Sequence, residues 1–134
     1  TPAIAGFAAA AAAVGSTFPV DTQQEKALLH TLIGKLSALD GVVINGSHQA
    51  PHILSISIPG VPTQNTINIL QESGICVSAG SACAKGHRSH VLSAMHLPPE
   101  VIDSSIRVSL SRETTREEID GLIRGIEAVL AWKK

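Results

Sequence analysis

The chain has 134 residues, of which 44% are hydrophobic and 16% are charged, a composition typical of one folded globular domain. Its formal net charge of -1 argues against the basic surface that nucleic-acid binding needs. Aromatic residues make up only 2% of the sequence, so the side chains on which bases stack are nearly lacking. We therefore expect no nucleic-acid partner.

The start of the chain and its cysteines bear on its location. The opening residues lack the positive segment of a signal peptide, and no stretch reaches the roughly 18 apolar residues of a membrane span. Cys76 and Cys83, separated by six residues, could form one disulfide. Free thiols in a reducing compartment are the better expectation. The sequence thus predicts a cytoplasmic protein with no membrane partner.

Hydrophobic periodicity predicts a mixture of helices and short strands along the whole chain. An alanine-rich helix over residues 3–14 and a second helix from residues 19–21 to 39 come first. Further helices are predicted to begin at Thr63, at Arg88 or Ser89, at Pro98 and at Thr115, and four short strands are predicted at 42–44, 53–58, 75–77 and 106–111. The expected fold is α+β, with a small and mostly antiparallel sheet covered by helices on one face.

Cys83 is the first candidate for chemistry because it lies in a loop rich in glycine, serine and alanine. Lys85, His87 and Arg88 follow it closely, and positive charge favours the reactive thiolate. A lone cysteine is more often a small buried hydrophobe, but this setting favours a reactive thiol. Cys76 lies between two apolar residues on a predicted strand, which predicts a buried structural cysteine.

Arg107 is the second candidate. It lies on a predicted strand whose other face carries Ile106, Val108 and Leu110, so its side chain is expected to point away from that core. A guanidinium held on a strand can bind a carboxylate through two parallel hydrogen bonds. From the pattern alone, a solvated or salt-bridged arginine is the commoner role.

A metal site is a third hypothesis, since Cys76, Cys83, His87 and His90 are possible zinc ligands. Their spacing does not match the usual zinc patterns, in which paired ligands stand a few residues apart on both sides. A non-catalytic interaction or metal-binding domain therefore stays a minor alternative. Composition and spacing alone predict no more than an α+β domain that presents a thiol on a loop and an arginine on a strand.

The residues around both candidates resemble a known family. The run Ser78-Ala79-Gly80-Ser81-Ala82-Cys83 is similar to the active-loop motif of the cysteine desulfurases, enzymes of the class V aminotransferase group that use pyridoxal phosphate (PLP). Other parts of the chain resemble that family in the same order: residues 2–7, 51–56, 89–95, 104–110 and 114–120. The resemblance implies the C-terminal domain of a fold-type I PLP enzyme.

The resemblance also implies an activity. In that family the loop cysteine attacks the sulfur of the substrate L-cysteine, and PLP acts as the electron sink. The products are L-alanine and an enzyme persulfide, whose sulfur passes to an acceptor protein for iron–sulfur cluster assembly or related chemistry. Carried over by position, Cys83 would be the catalytic nucleophile and Arg107 would bind the substrate carboxylate. The family further implies a homodimer for the full chain.

The resemblance places PLP in a larger domain, ahead of residue 1, that also holds the lysine anchoring the cofactor. We expect residues 1–134 to be a single C-terminal domain, with residues 1–17 as an inter-domain helix and 18–134 as the small domain. Such a chain, with the large domain absent, would be inactive alone.

Two departures from the family pattern bear on these expectations. The segment from Cys83 to Ser89 is shorter than in desulfurases with a long loop, which leaves the acceptor open. His96 stands where the family often has a glycine after Met95, so a histidine would have to accept a left-handed helix end. Selenocysteine lyases and aminotransferases of class V share the fold and the arginine, and they are further alternatives.

Overall fold

The computed structural model describes residues 1–47, 50–79 and 88–133. Within these ranges the chain forms five helices and three strands, in the order α1 (Pro2–Ser37), β1 (Val43–Asn45), β2 (Ile53–Ser57), α2 (Thr63–Glu72), α3 (His90–Ala94), α4 (Pro99–Ile102), β3 (Ser105–Ser109) and α5 (Arg116–Trp132).

Helix α1 is one continuous helix of 36 residues, so the prediction of two separate helices is wrong. Pro19 lies inside it and removes one backbone hydrogen bond, because proline has no N–H. Alanines before this point favour the helix strongly, and Leu28, Leu29 and Leu32 after it are buried in the core. The boundary expected between residues 17 and 18 therefore falls within a helix, and the division into domains stays a prediction.

The first half of α1 contains no buried residue. Residues 1–20 are all exposed, and Phe7 and Ile4 keep 78% and 70% of their surface in contact with solvent. By length and composition α1 could cross a membrane, since its most apolar 18-residue window has a mean hydropathy of 1.6. The expectation that no stretch qualifies is therefore wrong by this criterion. Core helices and signal sequences meet the same criterion, so the helix alone does not indicate a membrane protein.

The three strands form an antiparallel sheet in the order β1-β2-β3. Ile44, Ile56 and Ile106 lie opposite one another across the sheet and mark its apolar face. Helices α1, α2 and α5 cover this face, and the buried core between them contains Leu28, Leu29, Leu32, Leu36, Leu54, Ile56, Ile58, Val61, Leu70, Ile106, Val108, Leu110, Ile119, Leu122, Ile126 and Val129. The predicted α+β architecture is confirmed.

The second face of the sheet is polar and is partly covered by the short helices. The Ser57 hydroxyl donates a hydrogen bond of 2.7 Å to the Val101 carbonyl of α4, and both residues are buried. Residues 75–77, predicted as a fourth strand, are irregular, and only Ser78 makes a single bridge to β3. The sheet of the described residues therefore has three strands.

Two helix ends match their sequence signals. The Thr115 hydroxyl accepts a hydrogen bond from the Glu118 amide at 3.2 Å, and the Glu118 carboxylate accepts one from the Thr115 amide at 2.8 Å, which is the expected capping box. His96, just beyond Met95 at the end of α3, has a φ of 56°. The expected left-handed residue after α3 is confirmed, and it is a strained position for a side chain with a Cβ.

Gly125 lets α5 approach α2 closely. A Cβ at this position would lie 2.6 Å from Leu70 Cδ2 and 3.0 Å from Ile75 Cδ1, whereas a Cβ at Gly121 of the same helix would meet nothing closer than 3.8 Å. The absence of a side chain at Gly125 is thus a packing requirement, and at Gly121 it is not.

These two glycines should respond to alanine in opposite directions. Gly125→Ala should lower the free energy of unfolding by about 1–3 kcal/mol, because the added methyl group overpacks the α2–α5 contact. Gly121→Ala is the matched control and should raise it by up to about 1 kcal/mol through helix propensity alone. Urea denaturation of both variants measures the difference. Stabilisation by both substitutions would contradict the proposed close contact.

Candidate functional site

Arg107 lies in the middle of β3, where alternation decides which way each side chain points. Its neighbours Ile106 and Val108 are 1% and 4% exposed and face the core, while Arg107 itself is exposed on the opposite face. The structure therefore places the guanidinium on the polar face of the sheet, as the alternation predicts. Its role as a carboxylate ligand stays a prediction.

Ser78, five residues before Cys83, is hydrogen-bonded to the backbone of Arg107. The Ser78 amide donates to the Arg107 carbonyl at 3.1 Å, and the Arg107 amide donates to the Ser78 carbonyl at 2.7 Å. Cys83, Lys85 and His87 lie outside the described residues. The chain on the N-terminal side of Cys83 is thus fixed to the strand that carries Arg107.

Arg88, the first described residue after Cys83, is fixed to the turn before β3. Arg88 Nε and Nη2 donate to the two Asp103 carboxylate oxygens at 2.7 and 2.6 Å, a bidentate pair. These hydrogen bonds lower the pKa of Asp103 below its ordinary value and raise that of Arg88. About half of each side chain remains exposed, so the pair is a local tether more than a source of global stability.

A cavity of about 240 Å³ adjoins Arg107 on the polar face. Its lining comes from β2, β3 and the start of α3 and consists of Ser55, Ser89, Val91, Leu92, Ser105, Ile106 and Arg107. Apolar side chains in such a lining reduce the water around a guanidinium, and charged hydrogen bonds are stronger where water is scarce. The cavity thus places the exposed Arg107 guanidinium beside a lining of both polar and apolar side chains.

Asn45 and Ser55 lie in the same row as Arg107 but are not among the site residues that the sequence indicates. Asn45 lies opposite Ser55, Ser55 lies opposite Arg107, and Arg107 lies opposite Ser78, so the four form one row across the sheet. The alternation along residues 53–58 predicts that Ser55 and Ser57 lie on the face opposite Leu54, Ile56 and Ile58, and the structure agrees. Only the register between strands places Ser55 beside Arg107, and a single sequence does not give that register.

Cys76 is exposed, so the prediction of a buried structural cysteine is wrong. The reason is the missing strand: residues 75–77 are irregular, and Cys76 lines an open cavity of about 360 Å³ beside Ser109 and Glu118. For the metal hypothesis, Cys76 and His90 are both exposed, and Cys83 and His87 lie outside the described residues. That hypothesis stays untested.

Comparison with known proteins links this geometry to one family. The family model of aminotransferase class-V matches residues 1–122. Among curated relatives, cysteine desulfurase 2 of Trichormus variabilis is 39% identical over 109 residues, 78% of this chain and 27% of the relative. Cysteine desulfurase IscS of Proteus mirabilis is 38% identical over 114 residues, 82% of this chain and 28% of the relative.

A solved structure agrees with these sequence matches. The NifS-like protein of Rickettsia africae superposes with a TM-score of 0.84 at 32% identity, over 96% of this chain and 34% of that one. The chain spans little more than a quarter of the length of the curated relatives described above. The chain thus belongs to the aminotransferase class-V family, and within that family it is a relative of the cysteine desulfurases.

Proposed function

We propose that this chain is the substrate-closing part of a PLP-dependent cysteine desulfurase. In the net reaction the Cys83 thiol and L-cysteine give L-alanine and a Cys83 persulfide, so one sulfur atom moves from the substrate to the protein. The persulfide sulfur then passes to an acceptor protein. The names of the IscS and NifS relatives support a desulfurase over the metal-binding alternative.

One observation carries the proposal: both ends of the segment that contains Cys83 are fixed to the β3 region. Ser78 is bonded to the Arg107 backbone, and Arg88 is bonded to Asp103, just ahead of β3. Cys83 is five residues from Ser78 and five from Arg88, so the length of the chain limits how far the thiol can lie from Arg107. Covalent catalysis needs such proximity between the nucleophile and the group that positions the substrate.

Arg107 would hold the substrate by its α-carboxylate. Its guanidinium faces away from the core and lines the cavity on the polar face, so it can reach a small molecule without burying an uncompensated charge. A planar guanidinium matches both carboxylate oxygens at once, which fixes orientation as well as position. The same contact would serve selenocysteine or other amino acids, so the substrate must be assigned by assay.

The described residues do not themselves form a PLP site. Lys26, Lys35 and Lys133 lie on or next to α1 and α5, across the sheet from Arg107, and the Lys35 ammonium is engaged with Asp120 at 2.8 Å. The aromatic side chains of the described residues lie on the same two helices: Phe7, Phe18 and Trp132. The described lining of the Arg107 cavity contains no lysine, histidine, phenylalanine or tryptophan, and we propose that another part of the protein holds the cofactor.

The exposed half of α1 supports the same division of labour. Ile4, Phe7 and Phe18 are 70%, 78% and 60% exposed, and contiguous apolar surface of this kind usually marks an interface. The relatives have roughly three-quarters of their length outside the part matched here. We propose that this surface packs on the protein's own PLP-binding domain, in an enzyme that is a homodimer.

Removal of the two thiols should separate their roles. In the whole protein loaded with PLP, Cys83→Ser should reduce alanine formation from L-cysteine by more than about a thousandfold, as loss of a covalent nucleophile does. Cys76→Ser is the matched control and should leave the rate within about twofold of wild type. Equal losses from both substitutions, or full activity of Cys83→Ser, would rule out Cys83 as the nucleophile.

Arg107→Lys tests carboxylate binding, because it keeps the charge and removes the bidentate geometry. The KM for L-cysteine should rise roughly tenfold or more, the scale of a lost hydrogen bond to a charged group. Arg112→Lys is the control, since Arg112 is an exposed arginine that follows β3 and does not line the same cavity. An unchanged KM in Arg107→Lys would contradict the assignment.

Asp103→Asn tests the tether at the end of the cysteine segment. The pKa of Asp103 is lowered by Arg88, so the pair should persist at neutral pH and be lost as the pH falls below the ordinary value of about 3.9 through the folded-state pKa. At pH 7 the substitution should speed amide hydrogen exchange at Ser89 and His90 with little change in thermal stability. Glu100→Gln, at an exposed position of α4, is the control, and equal exchange in both variants would argue against the tether.

A further inference from the structure

We propose that the Ser55 hydroxyl is a second donor to the carboxylate that Arg107 binds. The inference rests on the proposed function, since it extends the same substrate site. It concerns a small carboxylate ligand of the amino-acid class, and it assigns to β2 a direct part in binding.

The strand register brings Ser55 and Arg107 together. They are direct partners between β2 and β3, and both line the cavity of about 240 Å³. Because the Arg107 amide and carbonyl are bonded to Ser78 on the other edge of β3, this pair is of the non-hydrogen-bonded type. Side chains are closest in such pairs, with Cβ atoms about 4.5–5.5 Å apart. One small anion can therefore touch both side chains.

The hydroxyl proton of Ser55 is available for a ligand. Asn45 Nδ2 donates to Ser55 Oγ at 3.2 Å, so in this contact Ser55 acts as the acceptor. A hydroxyl has one proton and two lone pairs, and within the described residues the Ser55 hydroxyl donates to no partner. The arrangement thus fixes the oxygen from one side and leaves its O–H for a ligand.

The support behind Ser55 is buried and specific. Asn45, 6% exposed, also donates to Ser57 Oγ at 2.8 Å, and the Ser57 hydroxyl donates to the Val101 carbonyl at 2.7 Å. Because the Ser57 proton is used in the bond to Val101, Asn45 must be the donor to Ser57. The NH₂ group of Asn45 therefore faces both serines. Because the supporting groups are held in place, Ser55 does not need to be reoriented when the ligand binds.

Carboxylate chemistry matches this pair of donors. An ionised carboxylate has two oxygens and about four lone-pair sites, of which a bidentate guanidinium uses two. The Ser55 O–H can fill one of the remaining sites without competing with Arg107. A ligand that lacks the carboxylate gains nothing from Ser55, and this difference provides the test.

The test compares L-cysteine with cysteamine, which has the same amine and thiol but no carboxylate. In the whole PLP-loaded protein, Ser55→Ala should raise the KM for L-cysteine roughly tenfold, with kcat within about twofold. The inhibition constant of cysteamine against L-cysteine should stay unchanged. Ser55→Thr, which keeps the hydroxyl, should restore the wild-type KM.

Ser109→Ala is the matched control, because it removes a hydroxyl from the same face of the sheet but outside the cavity lining. It should leave both the KM for L-cysteine and the inhibition constant of cysteamine within about twofold of wild type. An unchanged KM in Ser55→Ala, or equal shifts for L-cysteine and cysteamine, would overturn the role of Ser55. In that case, alanine formation by the wild-type protein would still support the proposed function. Failure of the wild-type protein to form alanine would overturn both.

Discussion

The alternation of side chains along β3 is the constraint on which the site depends. Along β3, the side chains of Ile106 and Val108 face the core and that of Arg107 faces the opposite side. A slip of one residue would exchange the faces, burying a guanidinium and exposing two branched apolar side chains. The packing of α1, α2 and α5 on the apolar face therefore holds the arginine in position. The stability of the sheet and the position of Arg107 are thus set by the same register, from opposite sides of one sheet.

Much of the fold could be predicted because its signals are local. Period-two alternation located β2 and β3, the spacing of Thr115 and Glu118 located the start of α5, and His96 marked a left-handed helix end. The orientation of Arg107 followed from the same alternation. The membership of Cys83 in an active loop came from resemblance, and its chemical role is still a prediction.

The errors concern features that depend on distant residues or on competing local effects. The exposure of Cys76 depends on whether residues 75–77 join the sheet edge, which their apolar composition does not decide. The sequence alone does not mark Ser55 as a site residue, because its position beside Arg107 comes from the register between segments 52 positions apart. The sequence predicts a helix start at Pro19, but strong helix formers before it and core packing after it continue the helix through the proline.

Pro19 gives α1 an uneven stiffness. Its missing N–H leaves the carbonyl four residues earlier without its usual partner, and the Ser16 hydroxyl bonds back to the Ala13 carbonyl at 2.8 Å, a contact that tends to bend helices. This weak turn lies between an exposed apolar segment and a segment anchored in the core. Bending there changes the angle of the exposed segment without disturbing the sheet. We therefore expect α1 to bend at this turn more readily than elsewhere along its length.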